Sequence, residues 1–180
     1  MDPKYMRLLP LALLLLLAMA MALGLLNSKI PDHDDRIVGR HITPFELPSV
    51  GGGAHFSTKL WENKVVVLNV FSSWCGPCGV ENPVLIKLAQ AGVPIYGIAW
   101  KDKAQNAASW LVRHGNPYQA VGVDERGVTT IPLTLTGVPE TFIINKDGSV
   151  YYHHKTALTD NVANTLIIPL VERLNKGDAQ

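Results

Sequence analysis

The chain has two cysteines among its 180 residues, Cys75 and Cys78, and only Gly76 and Pro77 lie between them. A structural disulfide that closes so small a loop restricts the unfolded chain little, so the pair points to thiol chemistry rather than stapling. In a Cys-X-X-Cys pair at the start of a helix, unpaired backbone N–H groups and the positive end of the helix dipole favour thiolate over thiol at the first cysteine. Cys75 is then the nucleophile. Cys78, one helical turn later, is expected to be more buried and placed to attack Cys75 once Cys75 is bonded to another molecule's sulfur. Pro77 falls in the first turn, where a missing N–H costs little. Two other readings stand beside this one: half of a zinc site, or an inert bridge. No second cysteine pair exists, and His153 and His154, adjacent on a strand, point to opposite faces, which makes a shared metal awkward. No metal and no cofactor is expected.

The elements that must position the pair can be read around it. Lys64 to Phe71 is a β-branched apolar run, the signature of a central strand covered on both faces, and it leads through Ser72-Ser73-Trp74 to Cys75. A helix is expected to about Ala91, ended by Gly92 and Pro94, followed by a strand from Pro94 to Trp100. Ala104 to His114 has helical spacing, with Ala107, Ala108, Leu111 and Val112 on the inward face. A short strand ends near Asp124. Thr141 to Asn145 and Ser149 to His153 read as strands joined by the hairpin turn Lys146-Asp147-Gly148. Thr159 or Asp160 is expected to cap a last helix running to about Asn175, with Gly177 past its end and a kink or break at Pro169. The order predicts an α/β fold: a central mixed sheet flanked by helices, with parallel pairing early and a late antiparallel hairpin.

A net charge of +1, with 16 basic and 15 acidic residues, offers no general case for nucleic-acid binding or an acidic substrate, and no nucleic-acid partner is expected. The nineteen residues from Leu8 to Leu26 carry no charge. As a helix they would span about 28 Å, enough for a bilayer core and longer than a usual cleavable signal. Small residues at Ala18, Ala20 and Ala22 leave cleavage open. Lys4 and Arg7 before the span suit a cytoplasmic N-terminus, although Lys29, Arg36 and Arg40 follow it. The expected organisation is a cytoplasmic tail over 1–7, a transmembrane signal-anchor over 8–26, a polar tether over 27–40 and a folded domain over 41–177.

Trp74-Cys75-Gly76-Pro77-Cys78 after an apolar strand resembles the active site of thioredoxin-like proteins. Gly137-Val138-Pro139-Glu140-Thr141-Phe142, sixty residues on, looks like that family's loop with a cis-proline opposite the cysteines. The same stretch is similar to the cytochrome c maturation thioredoxins (CcmG, also called DsbE). So are Lys101-Asp102, Ser109-Trp110-Leu111, Gly115-Asn116-Pro117-Tyr118 and Cys78-Gly79-Val80-Glu81. The resemblance covers about Thr43 to Asn175. It implies a periplasmic thioredoxin-like domain on a single-pass inner-membrane anchor. Such a protein reduces the cysteine pair of apocytochrome c, or of a maturation thiol protein that holds it, and draws electrons from a membrane thiol–disulfide protein. It also implies a cis Val138–Pro139 bond and supporting roles for Trp74, Pro77 and the Val138 backbone. The other readings kept open are a general periplasmic disulfide reductase and a non-redox module that binds apocytochrome or haem.

Asn69 stands where general thioredoxins carry a buried aspartate, and an amide cannot exchange a proton. It reads as a hydrogen-bonded core amide. The resemblance places Glu81 and Glu140 near the cysteine pair as an acidic feature, with Glu140 on the rim of the cis-proline loop. The plain alternative for each is a solvated surface charge. Gly127 to Thr136 departs from the subfamily's pattern, which leaves the partner surface undefined.

Overall fold

The computed structural model describes residues 36–177, together with Leu16, Leu17 and Met19, which are helical. Apart from those three residues, the span read over Leu8 to Leu26 lies outside the described residues, as do the tail 1–7 and the tether as far as Asp35. Among the described residues no helix is long and apolar enough to cross a membrane. The tether's C-terminal end is corrected. Ile37 is buried, Gly39 N–H donates to the Val150 carbonyl (2.8 Å), and Val150 N–H donates to the Arg40 carbonyl (2.9 Å). A buried apolar side chain and paired backbone make residues 37–40 part of the domain.

Two short strands, β1 (Glu46–Leu47) and β2 (Phe56–Ser57), and a 3₁₀ turn (Thr58–Trp61) precede the central strand β3 (Val66–Phe71). Helix α1 (Gly76–Gln90), β4 (Ile95–Trp100), α2 (Ala104–His114) and β5 (Val121–Asp124) follow, then the hairpin β6 (Glu140–Ile144) and β7 (Val150–His154). The main sheet has the order β5-β4-β3-β6-β7, with β3, β4 and β5 parallel and β6 and β7 added antiparallel. Every position of β3 is buried, as its unbroken apolar run requires.

The helices that flank this sheet all pack on one of its faces. Val67 and Phe71 of β3 pack with Leu85 and Leu88 of α1, Trp110 and Leu111 of α2, and Val171 and Leu174 of the last helix. Val66, Leu68 and Val70 face the other way, onto Ile37, Leu47, Phe56 and Trp61. The reason is topological. The steps β3 to β4 and β4 to β5 run in the same direction across the sheet, so two right-handed crossovers put both helices on one side. The segment 37–61 closes the other side with aromatic rings: Phe56 and Trp61 are 5.6 Å apart, Trp61 and Tyr96 5.1 Å. A Cβ at Gly122 would stand 2.5 Å from Phe56, so only glycine lets that ring lie against β5.

On α2, Ala107 and Leu111 face inward as expected, but Val112 is 86% exposed and Trp110 takes the buried position. Positions 107, 110 and 111 share one helical face, and 112 turns away from it. Thr159 caps the final stretch by accepting a hydrogen bond from Val162 N–H. A helical turn (Asp160–Val162) passes into a π segment (Ala163–Ile167) before α3 (Ile168–Lys176), and Gly177 ends it at φ +87°. The break expected at Pro169 is this π segment, which ends two residues before the proline that has no N–H to donate.

Candidate active site

The turn between β3 and α1 is held by the turn between β4 and α2. Ser72 Oγ donates to the Trp100 carbonyl (2.5 Å), Ser73 N–H to Asp102 Oδ2 (2.6 Å), and Trp74 Nε1 to the Lys101 carbonyl (3.1 Å). Cys75 is the N-cap of α1, and the Cys78 N–H donates to its Sγ at 3.2 Å. Cys75 Sγ thus sits at the positive end of the α1 dipole. Cys75 is 6% exposed and Cys78 1%, and the two form a disulfide. Pro77 lies in the first turn and Trp74 stands out beside the pair, 59% exposed. Val138–Pro139 is cis, and the Val138 carbonyl oxygen lies 3.6 Å from Cys75 Sγ.

A polar network lies on the same face of the sheet as the cysteines. Asn69 is fully buried, and its amide is saturated as expected. Nδ2 donates to Glu81 Oε1 (2.9 Å) and Thr141 Oγ1 (3.0 Å), and Oδ1 accepts from the Tyr118 hydroxyl (2.7 Å). Glu81 sits three residues after Cys78 in α1, on the buried side, so it is not a solvated surface charge. Its Oε2 accepts from the Leu158 N–H at 2.8 Å. Burial pushes the Glu81 carboxyl up to about 7, with the Leu158 and Asn69 donors pulling the other way. Burial, and then the charge of Glu81, raises the Tyr118 hydroxyl well above its ordinary value.

Glu140 is buried as well, but elsewhere. It pairs in register with Val70, whose side chain belongs to the core on the sheet face away from α1. Oε1 accepts from Thr136 N–H (2.7 Å), Thr136 Oγ1 (2.5 Å) and Gly137 N–H (3.0 Å); Oε2 meets His153 Nε2 at 2.8 Å. Burial raises this carboxyl, but the bonds from His153 and Thr136 outweigh it and hold the carboxyl below its ordinary value. The expectation of Glu140 on an exposed rim beside the cysteines is therefore corrected. Strand alternation sends residues 139 and 141 to one face and 140 to the other, so Glu140 clamps the cis-proline loop from behind.

A family model described as the AhpC/TSA family matches residues 38–153. The thiol:disulfide interchange protein DsbE of Escherichia coli (strain K12) is 34% identical over 149 residues, 82% of this chain and 80% of that protein. The DsbE of Pasteurella multocida (strain Pm70) is 42% identical over 113 residues, 63% of this chain and 62% of that protein's length. The chain belongs to the DsbE family of thiol:disulfide interchange proteins. Protein disulfide oxidoreduction is its class of activity. The fold agrees: a secreted Mycobacterium tuberculosis disulfide oxidoreductase homologous to E. coli DsbE superposes with a TM-score of 0.60 at 21% identity, over 73% of this chain and 95% of that one.

The structure thus gathers Trp74, Cys75, Pro77, Cys78, Val138 and Pro139 at one end of the sheet, buries Asn69 and Glu81 together on the same face, and turns Glu140 away. Sequence reasoning matched the stretches that hold Asp102, Tyr118 and Thr141 to the family but gave these residues no role, and it did not find His153 or the Leu158 N–H as members of this machinery. Tyr118 and Asn69 are 49 positions apart, and Leu158 and Glu81 are 77 apart, so no local pattern marks either pair.

Proposed function

We propose that Cys75 is the attacking nucleophile and Cys78 the resolving thiol of a reductant for cytochrome c maturation. Its substrate is the cysteine pair of apocytochrome c, or of a maturation protein that holds it, before haem attachment. The domain is periplasmic, on an inner-membrane anchor at residues 8–26, and a membrane thiol–disulfide protein restores its dithiol. The observation that carries the chemistry is Cys75 Sγ at the N-cap of α1, 3.6 Å from the Val138 carbonyl. A substrate strand that pairs with the Val138 backbone brings its disulfide to that sulfur. The likeness of Gly137 to Phe142 to the cytochrome c maturation thioredoxins supports the choice of substrate.

The steps balance as a two-electron exchange. In the reduced protein the Cys75 thiolate attacks one substrate sulfur, and the other leaves as a thiolate that takes up a proton. Cys78 then gives up its proton and attacks Cys75 Sγ. The second substrate sulfur leaves, so the substrate becomes a dithiol and the protein a Cys75–Cys78 disulfide, the state seen here. Glu81, which titrates at about 7 on the buried side of α1, is the proton acceptor for Cys78.

Deleting the protein should abolish holocytochrome c, and an added external thiol should restore it. Cys78→Ser should accumulate a mixed disulfide with the substrate, whereas Cys75→Ser should trap nothing. Normal holocytochrome c in the deletion strain would refute the substrate. Equal trapping by both variants would refute the assignment of the cysteines.

A further inference from the structure

We propose that the groove between the start of α1 and the end of α2 receives a carboxylate side chain of the protein substrate, next to the substrate's reacting cysteine. The inference deepens the functional reading above and rests on it. The groove has a volume of about 210 Å³, and Cys75, Gly76, Gly79, Trp110, Arg113 and His114 line it. The cis-proline loop is not part of its lining, so it meets Cys75 from a different side than Val138 does. Its α2 wall is fixed in place. Asn82 Nδ2 donates to the carbonyls of His114 (2.7 Å) and Gly115 (3.2 Å), and the His114 ring stacks on Trp110 at 4.7 Å. Gly79 faces that ring: a Cβ there would meet a His114 ring carbon at ordinary contact distance, 3.7 Å.

The charges around the groove are one-sided. Arg113 is exposed, permanently cationic and without an ion pair among the described residues. Lys101 and Lys103 are exposed in the turn that supports Trp74. No carboxylate lines the groove. Asp102 is buried and spends its oxygens on the N–H groups of Ser73 and Lys103, and Glu81 spends its own on Asn69 and Leu158. Basic residues in a last helical turn complement that helix's dipole. That does not account for Arg113 and His114 facing Cys75 across an open groove. A guanidinium with free donors beside the reactive sulfur suits an acidic residue that flanks the substrate's cysteine.

The test uses the full chain and three disulfide peptides that share a Cys-X-X-Cys-His core and carry Glu, Gln or Lys beside the first cysteine. The second-order rate constant for reduction should be highest for the Glu peptide. Arg113→Gln should lower that constant about fivefold, the upper end for an exposed ion pair, and change the Gln peptide's by less than about twofold. High salt should reproduce the loss. Equal rates for the three peptides in the parent would overturn the site. So would an equal loss on all three in Arg113→Gln with a shifted pH dependence of Cys75 alkylation, because Arg113 would then tune the thiolate rather than bind substrate. Failure of the parent to reduce any peptide would overturn the functional reading, and this inference with it.

Discussion

Glu81 and Glu140 are both buried beside the central sheet, one on the cysteine face and one behind it, and their surroundings drive them in opposite directions. Burial raises both. Around Glu81 it meets two donors, the Asn69 amide and the Leu158 N–H, and it prevails, leaving a carboxyl that titrates at about 7. Around Glu140 it meets three donors from Thr136 and Gly137 and the ring of His153, and it is outweighed. Donor number and the nearness of a cation-forming partner therefore separate a group that exchanges protons near neutrality from one that stays ionised as a structural clamp.

The largest expected effect is on the clamp. Glu140→Ala removes the partner of His153 Nε2 and the acceptor of two loop N–H groups, and chemical denaturation at pH 7 should show a loss of about 3–5 kcal/mol. A loss under about 1 kcal/mol, within the range of an ordinary surface change, would mean that the loop holds itself.

Next in size is an opposition in pH dependence. Glu81 has a raised folded pKa, so its contribution is fully present below about 4.5. It is lost as pH rises to about 7, where the unfolded chain has released a proton that the folded chain still holds. The loss is at most about 3 kcal/mol. Glu140 has a lowered folded pKa, so its contribution is present above 4.5 and lost as pH falls through the folded value. Urea denaturation from pH 2 to 8 should show Glu81→Gln flattening the decline toward neutrality and Glu140→Gln flattening the acid limb. Parallel curves for parent and variants would erase the contrast.

The third effect is kinetic. If Glu81 accepts the Cys78 proton as proposed, Glu81→Gln should slow release of the substrate from its mixed disulfide with Cys75 by about a hundredfold. Glu140→Gln should leave that step's pH dependence unchanged, since its carboxylate lies on the other face. Quenched-flow trapping of the mixed disulfide reads both, and an equal slowing would show that the sheet does not insulate the two carboxylates. The smallest effect is Tyr118→Phe, which removes one hydrogen bond to Asn69 and should cost about 1 kcal/mol in a denaturation midpoint. No measurable cost would take Tyr118 out of the network.

The elements bearing the chemistry were legible because their signals are local. The unbroken run ending at Phe71, the Gly-Pro pair inside the cysteine motif, the Lys146-Asp147-Gly148 turn and the Thr159 cap each act within a few residues, and each lies where it was read. The segment 41–63 was not legible. Its strands are two residues long, and Phe56 and Trp61 acquire meaning only by packing on Tyr96, Gly122 and the back of β3.

By itself the sequence determined the reactive pair, the strand and helix that present it and the proline loop opposite, because alternation, helical period and turn chemistry are properties of neighbouring residues. Only the tertiary structure decided that Glu81 is buried against Asn69 and the Leu158 N–H while Glu140 turns to His153. That outcome depends on the register of β3 with β6 and on partners as far apart as Glu81 and Leu158, and desolvation and hydrogen bonding follow which groups meet in space.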